Sequence, residues 1–536
     1  MTNEISPFKN EPPTAWSREE NRHKMQSALE KVRQELGKSY PVLISGKPLW
    51  TKETIVSINP ANLNEVVGVV AKGSQELADQ AIEVAKKAWE FWQKVSYRQR
   101  AEYLFKAAEL MRTQRFELLA WLVFEAGKNW READVDVAEA IDFLEYYGRQ
   151  MLLLGEPRLT EAQIPAETNV SYYIPRGIGL VLGIWNFPCA INTGMNAASI
   201  VAGNAVIFKP ASLTPVIGYK IVEIFQEAGL PDGVLNYLPG AGEEVGEYLV
   251  KHPDISVIVL TGSKDAGLRI DKLAGEHPHR YGIKRRVLET GGKNALIVDS
   301  DADLDEAIKG TVASWLGYQG QKCSACSRVI ILEDIHDYFI ERLIEAAKSL
   351  NIGDPQDPGT FMGPLISQEA LKKVQSYVEI GKGEGKLLLE RDVPEEFKER
   401  GYYIGPVIFT DVSPQARIAQ EEIFGPVLAV IKVKNFAEAI KVANSTGYAL
   451  TGGAYSRSLE HIKKAGEEFD VGNLYINRPI TGSIVGRQYF GGHRGSGTGP
   501  KAGGPDYLKA FMNEKTVTEN IMRRGFAPLE EDKQKS

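Results

Sequence analysis

The segment GYQGQKCSACSR, residues 317–328, presents a cysteine from a glycine-rich, polar turn. A reactive thiol needs its thiolate form, hence nearby positive charge, backbone amides or a helix N-terminus. Lys322 precedes Cys323, and a helical pattern is expected to resume after it. Taken alone, the segment stays open. Most cysteines are inert packing residues, and the Cys323/Cys326 spacing also suits a redox couple or half a zinc site. No second Cys/His pair accompanies it, which argues against metal. In VLETGGKNALIVD, Glu289 ends a strand and precedes Thr290, Gly291 and Gly292. Two glycines permit close backbone approach to a ligand. A carboxylate at the C-terminal end of an α/β strand is placed for general-base work, although a surface glutamate before a turn reads the same way. In IWNFPCA, Asn186 follows a buried strand and precedes a Phe-Pro turn. Its amide could hydrogen-bond a developing oxyanion or cap the next helix.

Strands and helices must position these side chains. From Tyr172 onward, short runs rich in Val, Ile and Leu (GIGLVLGIW, NAVIFKP, VLNYL, ISVIVLTGS) alternate with helical patterns. Between the second and third runs, Ile217, Ile221 and Phe225 share one helical face, which Gly229 and Pro231 end. Such alternation predicts a parallel sheet covered on both sides. A second strand–helix series is expected from RRVLET to about residue 500. Upstream, HKMQSALEKVRQELG reads as a helix within a charged arm of residues 1–40. Leu77, Ala81, Ala85, Ala88 and Trp92 repeat at helical spacing. The terminal LEEDKQKS is expected to be loose.

A chain of 536 residues exceeds one core, so two or three domains are expected. Hydrophobic residues at 43% and charged residues at 25% suit a globular enzyme. Lys+Arg of 63 against Asp+Glu of 70, a net charge of −7, leaves no electrostatic footprint for nucleic acid or an anionic membrane. Three cysteines cannot build a disulfide framework and suit a reducing cytosol. The N-terminus has neither signal-peptide nor transit-peptide character, and no apolar run approaches the roughly 20 residues that span a bilayer. The chain is expected to be cytoplasmic, without metal, nucleic-acid or membrane partners.

Taken together, the three segments resemble the aldehyde dehydrogenase superfamily. The family pattern of W-N-F-P, E-x-G-G-K and G-Q-x-C-x-x-x-S-R appears in order at Trp185–Pro188, Glu289–Lys293 and Gly320–Arg328. FKPAS at 208–212, TGS at 261–263 and EEIFGPV at 421–427 match further family motifs, and the resemblance covers about residues 40–520. It implies that Cys323 attacks an aldehyde as thiolate, that Asn186 and the Cys323 amide hold the oxyanion, and that Glu289 activates the water that hydrolyses a thioester. It implies NAD as cofactor, held by Ile184, Trp185, Lys209, Ser212, Gly242, Gly246, Thr261, Gly262, Ser263, Gly291, Glu422 and Phe424. A neutral Ser212, where many NAD-specific members carry Glu, implies some tolerance of NADP.

Within the family, ETGGKNALIVD, GYQGQKCSACSR, NRPITGSIVGRQYFGG (477–492) and EAGKNWREADVDVAEAIDFLEYY (125–147) resemble the branch that oxidises glutamate γ-semialdehyde. The implied reaction makes L-glutamate in proline breakdown. Gly482 and Ser483 would offer donors to the substrate carboxylate, with Ser324 beside the nucleophile. Glu125 would face the ammonium, Phe187 and Phe490 would sandwich the stem, and Lys322 would line the site. The alternatives are another semialdehyde dehydrogenase, such as one for succinic semialdehyde, or a cysteine esterase. The expected fold is α/β and aldehyde dehydrogenase-like. Residues 1–160 (1–40 a helical arm) and 177–289 would form a Rossmann-type parallel-sheet NAD domain, and 290–503 an α/β catalytic domain. Residues 161–176 would form a β-hairpin oligomerisation flap pairing with a C-terminal segment and tail, 504–536. The family uses such flaps for dimers, so a homodimer or larger homo-oligomer is expected.

Overall fold

Runs of Val, Ile and Leu leave both faces of a strand apolar, and only a sheet covered on each side buries both. In the computed structural model, which describes residues 6–522, such runs build two seven-stranded sheets. The expected loose LEEDKQKS lies outside the described residues. The first sheet runs in the order Arg285–Glu289, Ile255–Thr261, Ile178–Leu182, Ala205–Lys209, Leu235–Tyr237, Val42–Ile44, Lys47–Leu49. Its first five strands are mutually parallel, and the last two are antiparallel additions. Arg285–Glu289 therefore closes this sheet instead of opening the next. It pairs along its whole length with Ile255–Thr261, ending at the Thr261–Glu289 pair.

The second sheet is ordered Lys386–Glu390, Val407–Thr410, Val427–Val433, Cys326–Leu332, Asn294–Val298, Thr451–Tyr455, Asn473–Ile476. It is parallel except for its first pair. Residues 290–293 carry the chain from one sheet to the other. The carboxyl ends of Ile178–Leu182, Ile255–Thr261 and Arg285–Glu289 consequently face the amino ends of Asn294–Val298 and Cys326–Leu332.

The helix Pro215–Glu227 buries Ile217, Ile221 and Phe225 as expected. Gln75–Trp92, capped by Ser74, buries Ala78, Ala81, Ile82, Ala85, Ala88 and Trp92, so its apolar stripe runs through Ala78 and leaves Leu77 half-buried. The charged arm forms a helix only over Glu19–Arg33. Residues 6–18 are irregular and lie against the helix Trp130–Leu154. The strand Glu167–Pro175 pairs antiparallel with Met512–Asn520 along nine residue pairs, and Arg158–Leu159 adds to its other edge. Among the described residues, no helix is long and apolar enough to cross a membrane.

One expected site residue has a structural role instead. Glu125 is fully buried in the helix Arg115–Ala126 and lines no substrate cavity. Thr214 makes no cap for Pro215–Glu227. The Glu125 carboxyl does so, accepting from the amides of Val216 (2.8 Å) and Ile217 (2.7 Å) and from Ser57 Oγ (2.8 Å). Two buried amides at a helix N-terminus recruit a carboxylate more strongly than a solvent-facing ligand could. Glu125→Ala should therefore lower unfolding free energy by about 2–4 kcal/mol, the cost of leaving those amides unpaired. Denaturant titration reads the loss, while KM for aldehyde stays unchanged.

Candidate active site

Cys323 sits on a turn that its neighbours hold in an unfavourable backbone conformation. Helix Leu304–Leu316 ends, and Tyr318 and Gln319 adopt φ of 50° and 55°. Both are pinned: Tyr318 Oη donates to Ala126 O at 2.6 Å, and Gln319 Nε2 to Pro364 O at 2.7 Å. Gly320 follows at φ 72°, where a Cβ would strike Gly425 O. The strand Cys326–Leu332 comes next, not the helix expected from sequence, so no helix N-terminus supports the thiol. Lys322 does not support it either, because its ammonium is paired with Glu132 at 2.7 Å.

Asn294 Nδ2 donates to Cys323 O (2.7 Å) and to Ala325 O (2.9 Å), which fixes the turn to the start of the second sheet. A Cβ on Gly292 would collide with Cys323 O, so the glycine permits this approach. Asn186 is buried, and its Nδ2 donates to Gln321 O at 3.0 Å, two residues before the thiol. That bond uses one amide hydrogen and leaves the other available.

Glu289 is buried, and neither carboxyl oxygen has a hydrogen-bond partner among the described residues. Gly491 and Gly497 give it room, since a Cβ at either would meet its carboxyl within 2.9–3.4 Å. Burial holds its carboxyl well above the usual carboxylate range, with Lys501 the opposing influence. Burial, Glu422 and Glu289 together push the Cys323 thiol up to about 12. These surroundings favour the thiol over the thiolate while no ligand is bound.

Two compartments meet at Cys323, Thr261 and Thr290. One gathers Phe187, Lys322, Ser324, Gly482, Ser483, Phe490 and Glu289 around the sulfur. It also holds residues that the sequence reading missed. Val135, Glu139, Phe143 and Tyr147, on the helix Trp130–Leu154, form one wall. Their spacing of four is the signal that could have found them, because it places them on one helical face. Burial and the neighbouring Asp136 push the Glu139 carboxyl up to about 8, and no hydrogen bond from the described residues reaches it.

The other compartment gathers Ile184, Trp185, Asn186, Thr261, Gly262, Ser263, Gly291, Glu422 and Phe424, together with Ala370 and Lys373, which were not foreseen. Ser263 caps the helix Lys264–Glu276. Glu422 Oε1 accepts from Gly292 N at 2.8 Å, and Gly291 leaves no space for a Cβ beside that carboxyl. Phe424, at φ 64°, packs edge-on against Trp185 at 5.5 Å. Lys209, Ser212, Gly242 and Gly246 do not line this compartment and form a neighbouring group. A Cβ on Gly246 would lie 3.4 Å from Lys209 Cδ, Ser212 Oγ donates to Gly240 O at 3.3 Å, and Gly242 faces open space.

The state of the thiol has a direct chemical test. Alkylation of Cys323 by iodoacetamide in the ligand-free protein, followed by peptide mass mapping, should rise about tenfold per pH unit from 7 to 10 without a plateau, because only the thiolate reacts. A plateau below pH 9 would show that the sulfur ionises much lower.

The aldehyde dehydrogenase family model matches residues 50–517 of this chain. A protein named 1-pyrroline-5-carboxylate dehydrogenase from Geobacillus kaustophilus is 52% identical over 516 residues, 96% of this chain and 99% of the relative. Among solved structures, 1-pyrroline-5-carboxylate dehydrogenase from Thermus with bound NAD superimposes with a TM-score of 0.94 at 50% identity, covering 97% of this chain and 100% of that one. Proline utilization A from Bdellovibrio bacteriovorus matches with a TM-score of 0.94 at 44% identity, over 98% of this chain but 54% of that longer chain. The ordered motifs, the paired parallel sheets and near-full-length kinship agree, and the chain belongs to the aldehyde dehydrogenase family.

Proposed function

We propose that the protein oxidises L-glutamate γ-semialdehyde, the open form of 1-pyrroline-5-carboxylate, to L-glutamate with NAD in proline breakdown. The observation that carries this reading is Glu139, a half-buried carboxyl that no hydrogen bond from the described residues reaches, in the same compartment as Cys323. A substrate ammonium would supply its missing charge. In the same compartment, Gly482 and Ser483 offer backbone amides and a hydroxyl for a carboxylate. Succinic semialdehyde, with a carboxylate and no ammonium, would bring Glu139 no cation to favour its ionised form. Among the described residues no arginine lines the compartment to bind the carboxylate of such a substrate, and its lysine, Lys322, is already paired. Among the described residues no histidine lines either compartment, which speaks against a cysteine esterase.

The second compartment suits a dinucleotide. Lys209 is a buried ammonium whose only acceptor among the described residues is Pro210 O at 3.0 Å, and burial pushes it down to about 8. Ribose hydroxyls would satisfy it. Ser263 opens a helix N-terminus fit for pyrophosphate. Glu422 and Phe424 would hold the nicotinamide end, and neutral Ser212 leaves NADP tolerated. When bound, the dinucleotide supplies the hydride acceptor that the oxidation needs.

The chain's own residues do the rest. Cys323 Sγ bonds to the aldehyde carbon, and its proton must leave as that bond forms, because the sulfur rests protonated. Glu289 is the unpartnered base in the same compartment. The aldehyde oxygen becomes an oxyanion that meets the free amide hydrogen of Asn186 and the Cys323 backbone amide. Glu289 passes that proton to solvent, and once oxidation has produced the thioester it takes a proton from water as the water attacks and returns it to the departing Cys323 sulfur. The carboxylic acid leaves and the thiol is restored.

We assign residues 1–160 with 177–289 to dinucleotide binding and 290–503 to the thiol-bearing domain. The outer flap strand Met512–Asn520 is exposed beyond its first residue. Open edges seek partners, so we assign the flap to a homodimer or larger homo-oligomer. Free cysteines suit a cytoplasmic setting.

Wild-type kcat/KM should be highest for glutamate γ-semialdehyde in a panel with succinic semialdehyde and pentanal, measured by NADH formation with NAD and, more slowly, NADP. Cys323→Ala should abolish turnover. A win for either competitor overturns the substrate assignment. Glu289→Gln should lower kcat about 10²–10⁴-fold. Because the Glu289 pKa is raised, wild-type activity should climb with pH through a midpoint above the ordinary carboxylate range, and the variant should lose that limb.

A further inference from the structure

Residues 6–18 are not needed to complete either sheet, yet they make a dense set of specific contacts. Thr14 N and Oγ1 donate to Asp134 at 2.7 and 2.6 Å. Glu11 N donates to Asp142 Oδ1 at 2.6 Å, and the Glu11 carboxyl is paired with Arg112 at 2.8 Å. Asp134 and Asp142 belong to the helix Trp130–Leu154 and flank the stripe, through Glu139 and Phe143, that walls the substrate compartment. The segment is thus a strap along the back of that wall.

Its most informative residue is Asn10. The Nδ2 group donates one hydrogen to Asp142 Oδ2 at 2.8 Å and the other to Val485 O at 2.8 Å. Val485 is buried between Ser483 and Phe490 in the chain, and both of these line the same compartment. A single amide therefore ties the Glu139 wall to the Ser483 loop. Phe8 reinforces the link. Its ring packs edge-on against Tyr146 of the helix at 5.2 Å. It also covers Gly486, where φ is +75° and a Cβ would lie 2.9 Å from Phe8 Cε1.

We propose that Asn10 and Phe8 are positioning residues for substrate specificity, which set the distance between the Glu139 wall and the Gly482–Ser483 loop. The inference rests on the reading above, in which an amino-acid end is held at both places at once. Such a substrate senses the spacing of its two charged groups. A plain aliphatic aldehyde does not, because it needs only Cys323 and the apolar walls. Neither residue touches the substrate, so each acts through the groups it holds.

The test uses the full chain with Asn10→Ala, Asn10→Asp and Phe8→Ala. Asn10→Asp keeps the size and removes both donated hydrogens. Each variant should raise KM for glutamate γ-semialdehyde about fivefold, the scale of one lost hydrogen bond, with kcat little changed. Pentanal kinetics should stay at wild-type values. The thermal shift that L-glutamate gives the cofactor-free protein should shrink in parallel. Thr14→Ala, which loosens the strap far from Val485, should lower Tm without moving either KM. If wild type prefers glutamate γ-semialdehyde and the Asn10 and Phe8 variants leave its KM unchanged, or affect pentanal equally, the positioning role is overturned. If wild type shows no such preference, the substrate reading falls and this inference with it.

Discussion

Desolvation at the seam between two parallel sheets governs this protein's chemistry. Cys323, Glu289 and Glu422 all lie where strands of one sheet end and strands of the other begin, and burial raises all three. The same burial pushes Lys293, whose ammonium has no hydrogen-bond partner, down to about 7. Most buried polar groups in proteins are paired. Among the described residues, the Glu289 carboxyl and Asn186 Oδ1 are two exceptions, in compartments that meet at one sulfur. Each is uncomfortable in the resting protein and could be satisfied by a ligand, a proton transfer or a water, which is the condition under which binding and catalysis can draw on the environment.

Holding such groups in place requires a rigid frame. Glycines at 291 and 292 let the crossover pass close to Glu422 and to the Cys323 carbonyl. The left-handed Tyr318 and Gln319 are held by bonds to Ala126 and Pro364. Behind them lies the fully buried pair Lys128–Asp136 at 2.9 Å. The Lys128 ammonium stands 3.9 Å from the Phe187 ring centre and 4.8 Å from that of Tyr318, and Asp136 accepts from Ala190 N at 2.7 Å. One ion pair thus links the cysteine turn, the segment after Asn186 and the helix that bears Glu139. Removing one member of such a pair leaves a buried charge uncompensated and is strongly destabilising.

The helix Trp130–Leu154 shows how structure and selectivity share one element. One face supplies Val135, Glu139, Phe143 and Tyr147 to the compartment, and the flanking acids Asp134 and Asp142 anchor the N-terminal strap. A helix is suited to this double use because its side chains are fixed relative to one another, so a contact on its back is felt on its front.

Strands, their order along the chain and the identities of Cys323, Glu289 and Asn186 were legible in the sequence, because apolar runs, turn glycines and motif spacing are relations between near neighbours. The choice between Glu125 and Glu139 was not. Both lie in one acidic segment, and only packing reveals that the first caps a distant helix while the second faces a cavity. The charges around Cys323 were not legible either. Lys322 adjoins it in the chain, but Glu132 takes that charge, while Glu289 and Glu422 approach from other strands. Proton affinity depends on how much water and which charges surround a group in space, and that information exists only once the chain has folded.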